Sequence, residues 1–153
     1  MLKGIFYSIV SIIGTGLIIC LYALFSLPNP ETKTKIEQHE ISTKLSSINQ
    51  KLLIPAGYKK SSIYLVDDGF TSPHVEVKHL NKINIRIHSS NGLDYEGGKK
   101  VRTKILNNIK IREYQTKDKR VIYIFKVGQL NYLYEFHDLY RESIDEYLSK
   151  NIL

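Results

Sequence analysis

The pattern of hydrophobic and polar positions changes abruptly near residue 28. From Ile5 to Leu27 no side chain is charged at neutral pH, and most are large and apolar. At about 1.5 Å rise per residue, this stretch makes a helix about 34 Å long, which matches a hydrocarbon core of about 30 Å. The pattern therefore predicts a single membrane span, ended by Pro28 and Pro30, since proline cannot continue a helix.

Three other interpretations of the apolar stretch fit less well. A cleavable signal peptide has a shorter apolar region that ends in small residues, whereas Tyr22, Leu24 and Phe25 crowd the end of this one. A lipoprotein anchor would use Cys20, but Ile19 stands where that pattern has a small residue. A core helix of a soluble protein would have to be covered on every side by the rest of a small chain.

The flanking charges and the chain layout favour opposite orientations of the span. Lys33, Lys35 and Lys44 after it outnumber Lys3 before it, and an excess of positive charge favours the cytoplasmic side. However, a short N-terminus before a long domain is typical of an uncleaved signal anchor, and long domains cross largely regardless of charge. We therefore expect a single-pass protein of the cell membrane with its C-terminal domain outside the cytoplasm.

After the span, helical spacing gives way to alternation. Ile41, Leu45, Ile48 and Leu52 recur at helical intervals and predict an amphipathic helix over about Lys35–Leu53. Further along, alternating runs bounded by turn residues predict strands. These runs are Ser61–Val66, Lys100–Leu106 and Ile109–Thr116, with a turn-rich loop at Ser89–Gly98.

The first predicted hairpin has one apolar and one charged face. If His79 faces Ile83 across a short turn, the register of the whole pair is fixed, because side chains alternate between faces. This register places Val77 opposite Ile85 and Val75 opposite Ile87 on one side, and Glu76 opposite Arg86, Lys78 opposite Asn84 and His74 opposite His88 on the other. Such a hairpin is wetted on one face.

The second predicted hairpin is apolar on both faces. Gly128-Gln129 suits a type II′ turn and joins Arg120–Val127 to Leu130–His137. The register then sets Val127 against Leu130, Phe125 against Tyr132, Tyr123 against Tyr134 and Val121 against Phe136. A hairpin of this kind should lie at the centre of a sheet, with a helix over at least one face.

The predicted fold class is α+β. A capping-box pattern, Ser143-x-x-Glu146, predicts the start of a final helix. The chain then consists of an N-terminal transmembrane anchor over 1–27, a linker and amphipathic helix over 28–54, and one small domain over 55–153. We expect this domain to hold a mainly antiparallel sheet of five to seven strands flanked by helices.

Four short motifs in the second part of the chain suggest a family. They are Pro55-x-Gly57-Tyr58, Gly98-Lys99-Lys100-Val101, Tyr123-x-Phe125-x-x-Gly128 and the segment 143–148. Over roughly Lys51 to Leu153, they resemble DUF4367-type extracytoplasmic domains of Gram-positive bacteria. The tryptophan often found on the penultimate strand of that family is absent, with Phe125 nearby. The resemblance implies a membrane-tethered domain of unassigned function outside the cytoplasm, and it brings no active-site residues.

The sequence motifs that mark common enzymes and metal sites are missing. A single cysteine among 153 residues excludes an internal disulfide and a multi-thiolate metal site. The sequence has no G-x-S-x-G elbow and no H-E-x-x-H pair. His74, His88 and Glu76 are the right ligand types for Zn²⁺ or Cu²⁺, but Arg86 would neutralise the carboxylate. We expect no catalytic residues, no cofactor and no metal.

Charge supplies the remaining functional indication. The chain carries 22 Lys and Arg against 15 Asp and Glu, for a net charge of +7. Basic patches attract anions, although a merely solvated surface has the same composition. The candidate anion or partner surface consists of Lys99, Lys100, Arg102, Lys104, Lys110 and Arg112.

These patterns predict a binding or accessory module of the cell envelope. Its expected partners are membrane lipid, through residues 5–27, and an envelope protein or an anionic surface polymer. Nucleic acid is not expected outside the cytoplasm, and no helix-turn-helix or RNP motif is present. The alternative is a cytoplasm-facing, membrane-tethered domain that regulates a partner or binds nucleic acid.

Overall fold

Eight antiparallel strands form one sheet in this computed structural model, which describes residues 31–45, 51–55, 61–67, 72–79, 82–89, 95 and 97–152. All of them belong to the unit Glu31–Leu153. The strands are β1 (Thr32–Lys35), β2 (Ser61–Asp67), β3 (His74–His79), β4 (Ile83–His88), β5 (Lys99–Leu106), β6 (Ile109–Gln115), β7 (Arg120–Val127) and β8 (Leu130–His137). The helices are α1 (Ile41–Lys44) and α2 (Arg141–Asn151), each preceded by a 3₁₀ turn, Gln38–Glu40 and Asp138–Tyr140.

The sheet consists of two meanders joined along one pair of strands. Its order is β1-β2-β3-β4-β8-β7-β6-β5, so each strand within a meander pairs with its neighbour in sequence. The long-range pair β4–β8 joins the halves and sets Ile85 opposite Tyr134. Among the described strands, this order leaves β1 at one edge and β5 at the other.

Both predicted hairpin registers are confirmed. His79 pairs with Ile83 and His74 with His88, and every intermediate pair falls as the alternation required. Val127 pairs with Leu130 across Gly128, whose positive φ of 58° is the conformation that glycine adopts without strain. The pair β7–β8 lies in the middle of the sheet, as its two apolar faces predict.

One face of the sheet, here called the inner face, carries the main core. Its strands contribute buried aliphatic and aromatic side chains, among them Val75, Val77, Ile85, Tyr123, Tyr134 and Phe136. The covering elements contribute Ile41 and Leu45 from the α1 region, Leu53, and Ile144 and Leu148 from α2. The hydroxyl of fully buried Tyr134 donates a hydrogen bond to the Leu53 carbonyl, which holds the segment 51–55 over the sheet.

The opposite face, here called the outer face, is divided between an apolar cluster and charged residues. Tyr114, Ile122, Ile124 and Leu133 are buried there, with Tyr95 packed against them. Glu76 and Arg86, which pair across β3 and β4, lie on the same face. The outer face therefore has a small second core beside a polar area.

The predicted helix over Lys35–Leu53 is wrong at both ends, because Lys35 belongs to a strand and residues 51–53 are not helical. Thr32–Lys35 is a strand, which pairs antiparallel with Asp67–Tyr64 of β2. The regular helix in this part of the described chain is Ile41–Lys44. The chain is extended there because its backbone pairs with β2, and the buried Ile36 that follows continues this contact with a hydrogen bond from its N–H to the Ile63 carbonyl at 3.0 Å. This strand also raises the sheet from the predicted five to seven strands to eight within the described residues.

The predicted capping box is also wrong. Helix α2 begins at Arg141, two residues before Ser143, and Tyr140 is its N-cap without a side-chain cap bond. The helix starts early because the 3₁₀ turn Asp138–Tyr140 leads directly into it. The backbone N–H of Leu139 donates to Nδ1 of His137 at 3.3 Å, so His137 caps that turn.

None of the helices among the described residues is long and apolar enough to cross a bilayer. The predicted span over 5–27, including Cys20, lies outside the described residues.

Candidate partner-binding edge

The six predicted surface residues lie together on the last two strands at one side of the sheet. Lys99, Lys100, Arg102 and Lys104 belong to β5, and Lys110 and Arg112 belong to β6. The turn between these strands, Asn107-Asn108, has positive φ angles of 46° and 64°. Asparagine tolerates this conformation better than most residues do.

A buried carboxylate binds one of the six cations. Glu113 of β6 is 1% exposed, faces inward, and accepts a hydrogen bond from Arg102 Nε at 2.9 Å. Its other oxygen accepts from Arg141 of α2. Arg141 also contacts Asp138 at 2.6 Å. Burial disfavours the charge of Glu113, but the two guanidinium groups outweigh it and hold the pKa of this carboxyl below its usual value.

A second inner-face contact binds Lys104. Its ammonium lies 2.6 Å from Oδ1 of Asp145 on α2 and donates to the Tyr123 hydroxyl at 2.7 Å. The same ammonium lies 4.0 Å from the centre of the Tyr123 ring. Burial and the nearby Asp145 raise the pKa of Tyr123 well above its usual value, so the phenol stays protonated. Arg102 and Lys104 thus hold β5 and α2 to the protein rather than serving as free cations.

Asn107 fixes the other end of α2. Its side-chain amide donates to the carbonyl of Ser149 at 2.7 Å and to that of Ile152 at 2.9 Å. Carbonyls at a helix C-terminus have no partner within the helix, so these bonds satisfy groups that would otherwise depend on water. The β5–β6 pair is therefore bound to both ends of α2.

Three of the six cations are both exposed and outside any ion pair within the described residues. Lys99, Lys100 and Lys110 are exposed and, within the described part of the chain, have no carboxylate at ion-pair distance. Arg112 is half-buried and interacts within the protein. The structure therefore divides the predicted surface into cations that bind partners within the protein and cations without such partners among the described residues.

An open cleft of about 450 Å³ adjoins the start of β5. Lys99 and Lys117 line it together with Gly97, Gly98, Val101, Gln115 and Thr116. A side chain at Gly98 would place its Cβ 2.9 Å from the Gln115 carbonyl oxygen, so glycine is needed for the loop to approach β6. Lys117 was not among the predicted surface residues.

A separate charged cluster lies on the outer face, around Glu76. Its carboxylate has Lys33 Nζ at 3.3 Å, Arg86 Nε at 3.4 Å and Lys78 Nζ at 3.5 Å. Burial disfavours the charged form of Glu76, but the attraction of these three cations is larger than the effect of burial, so the pKa of Glu76 is lowered. Arg86 thus contacts the carboxylate, as its register position indicated.

The two histidines beside Glu76 stack on each other. The rings of His74 and His88 lie 4.5 Å apart with planes 12° from parallel. The lone pairs of a histidine that bind a metal lie in the plane of its ring. The lone pairs of two stacked rings therefore lie in parallel planes and do not converge on a metal ion between the rings. In the described part of the chain, no group of three or more potential metal ligands comes together.

The ionisation of these groups is typical of structural contacts. The pKa of Glu113 is lowered and that of Tyr123 is raised, so both groups are far from titration at neutral pH. A general acid or base works best with a pKa near the working pH. The buried polar groups around β5 therefore have the properties of ion pairs that hold elements together.

Sequence reasoning did not find Glu113, Tyr123, Asp145 or Arg141. Glu113 falls on the face of β6 that also carries Ile111, and a carboxylate at an inward position is a signal for buried cations. Arg141 and Asp145 come from α2, and the position of this helix over the sheet cannot be predicted from the local sequence pattern.

Comparisons of this chain with protein families, curated proteins and solved structures give no match. The resemblance to DUF4367-type domains stays a prediction.

The stacked histidines predict a specific loss of stability in mild acid. Burial, followed by the nearby His74 and Arg86, lowers the pKa of His88 to about 4, and Glu76 only partly opposes this. Unfolded His88 takes up a proton near pH 6.5, which the folded protein resists. The free energy of unfolding should therefore start to fall as the pH drops below about 6.5, and the carboxylates of Glu76 and Glu113, whose pKa values are lowered in the folded protein, add to this fall below about pH 5.5.

Urea unfolding of the full chain across this pH range measures the effect. His88→Gln should flatten the dependence, because it removes the titrating ring. The matched control is His39→Gln, at an exposed position before α1, which should leave the slope unchanged. An unaltered slope in His88→Gln would contradict the assignment.

Proposed function

We propose that this chain is a membrane-anchored binding module of the cell envelope that contacts an anionic partner through the edge of β5. The observation that carries the proposal is the free edge itself. β5 is an eight-residue outermost strand, largely exposed, with unpaired lysines at its start and Lys110 opposite Ile105. We call this surface, Lys99–Leu106 with Lys110 and the Lys117 cleft, the basic edge.

The opposite edge of the sheet, β1, lacks this combination of strand length and unpaired lysines within the described residues. β1 has four residues, all exposed, and no large hydrophobic side chain. Its Lys33 is already paired with Glu31 and Glu76. Short, charged strands are a common protection against unwanted pairing. Within the described residues the two edges therefore differ, because the basic edge combines length, free cations and an adjoining cleft.

A binding role fits the chemistry of this region better than catalysis does. In this region the lowered pKa belongs to Glu113, an ion-paired carboxylate, and the raised pKa belongs to Tyr123, a phenol that stays protonated, while the cleft is open to solvent. Lysine ammoniums at an open surface attract anions over a distance set by ionic strength. The basic edge thus suits an anionic envelope protein or surface polymer.

The membrane anchor and the orientation rest on the sequence. The uncharged stretch over 5–27 has the length of a bilayer span, and the resemblance to DUF4367-type domains favours display outside the cytoplasm. The cytoplasm-facing alternative would use the same basic edge for a regulatory or nucleic-acid partner. Orientation therefore decides which class of partner is searched for.

Binding of inorganic polyphosphate to the full chain in neutral detergent tests the basic edge. Each lysine near an anionic surface contributes about 1 kcal/mol, so reversing Lys99 and Lys100 to Glu should weaken binding by at least about tenfold. Lys35→Glu makes the same type of change at the other edge and should have little effect. Binding should also weaken steeply with salt. Equal losses from both edges, or no binding at low salt, would contradict the proposal.

Cysteine labelling in intact cells tests the orientation. Lys150→Cys places a thiol at an exposed position of α2, and Cys20→Ser removes the native one. A membrane-impermeant maleimide should label this variant without lysis. Labelling only after lysis would place the domain inside and favour the regulatory or nucleic-acid alternative. Cys20→Ser alone controls for background labelling.

A further inference from the structure

We infer that the partner of the basic edge is an extended acidic polypeptide segment, which pairs with β5 as an additional strand of the sheet. This inference rests on the proposed function, because it specifies what the basic edge binds.

The backbone of β5 is unpaired along one side within the described residues. β6 is the one neighbour of β5 there, so the N–H and C=O groups on the other side of β5 have no ladder partner. Such groups pair with another polypeptide strand, which supplies donors and acceptors at matching spacing. Lipid headgroups and phosphate polymers have no backbone amides, so they would use the lysines and leave the edge unpaired.

β5 also carries two exposed apolar side chains. Val101 is 51% exposed and Ile105 is 76% exposed. In the described part of the chain, they are two of the three large hydrophobic residues that are exposed, the third being Leu139. A strand laid along β5 would cover apolar surface as well as pair its backbone, which an anionic polymer would not do.

The basic edge is positively charged at the start of β5. Lys99 and Lys100 precede a shift in register between Lys100 and Arg102, after which β5 pairs regularly with β6 up to Leu106. The regular part offers the ladder, while the lysines and the cleft beside Lys117 lie at its start. Opposite charges on facing strands stabilise pairing and like charges weaken it. Acidic side chains on the incoming segment therefore complement this end.

The same charge argues against a second copy of this chain. Two β5 strands placed edge to edge would set two positively charged edges against each other, since four of the eight β5 positions are Lys or Arg and none is acidic. The internal ion pairs of Arg102 and Lys104 reduce this repulsion but leave Lys99 and Lys100 uncompensated. An acidic segment meets no such penalty.

The test uses the full chain in neutral detergent with three probes. The first is a capped, dye-labelled peptide that alternates glutamate and valine and is about as long as β5. The second is the same peptide methylated at every backbone nitrogen of its central residues, which keeps its charge and side chains but removes the ladder donors. The third is inorganic polyphosphate. Fluorescence anisotropy and competition measure the three affinities.

The unmodified peptide should bind at least about tenfold more tightly than the methylated one. Its affinity should fall by at least about tenfold in the variant with Lys99→Glu and Lys100→Glu, and hardly at all in Lys35→Glu. Equal binding of both peptides would overturn the inference but leave the proposed function intact, because charge alone would then explain binding.

Three other outcomes would also overturn the inference. If neither peptide nor polyphosphate binds, both the inference and the proposed function fail. If the peptide binds the Lys99→Glu, Lys100→Glu variant as well as the unaltered chain, the site lies elsewhere and the inference fails. If the chain forms dimers that exclude the peptide, a second copy occupies the edge and the inference fails.

Discussion

The buried carboxylate of Glu113 is the constraint on which the C-terminal half of the structure depends. A charge that is 1% exposed is stable only when cations and hydrogen bonds replace its water. Arg102 supplies one from β5, and Arg141 supplies the other from α2. The edge strand and the helix must therefore take up positions in which both guanidinium groups reach the same carboxylate. Lys104 and Asp145 form a second link between the same two elements.

This constraint also determines which charges are available at the surface. A basic segment would attract anions along its whole length if every cation were free. Here Arg102 is paired with Glu113 of β6 and Lys104 with Asp145 of α2, whereas Lys99, Lys100 and Lys110 are exposed and have no carboxylate partner among the described residues. The free cations lie on β5 and β6 at one edge of the sheet and beside a cleft. Stability and the proposed binding thus use different residues of one strand, so each can be altered separately.

The sequence predicted those parts of the fold that follow from local alternation. Both hairpin registers were correct. A shift by one residue would turn Val75 and Val77 of the first hairpin to the wrong face, and the two-residue Gly128-Gln129 turn determines the register of the second. It failed at Thr32–Lys35, where a short polar strand has no apolar alternation and is fixed by pairing with β2. It also missed the partners of Glu113, since Arg102 lies 11 residues away and Arg141 lies 28 away, and only the fold brings them together.

Comparison of Glu113→Gln with Glu142→Gln is the most direct test of this account. Both variants lose one carboxylate, but Glu142 is exposed on α2. Glu113→Gln should lower the free energy of unfolding by about 1–3 kcal/mol and speed amide hydrogen exchange in β5 and α2 more than in β7 and β8. Glu142→Gln should change the stability by less than about 0.5 kcal/mol. Equal stability of the two variants, with unchanged exchange in β5 and α2, would contradict the central role of Glu113.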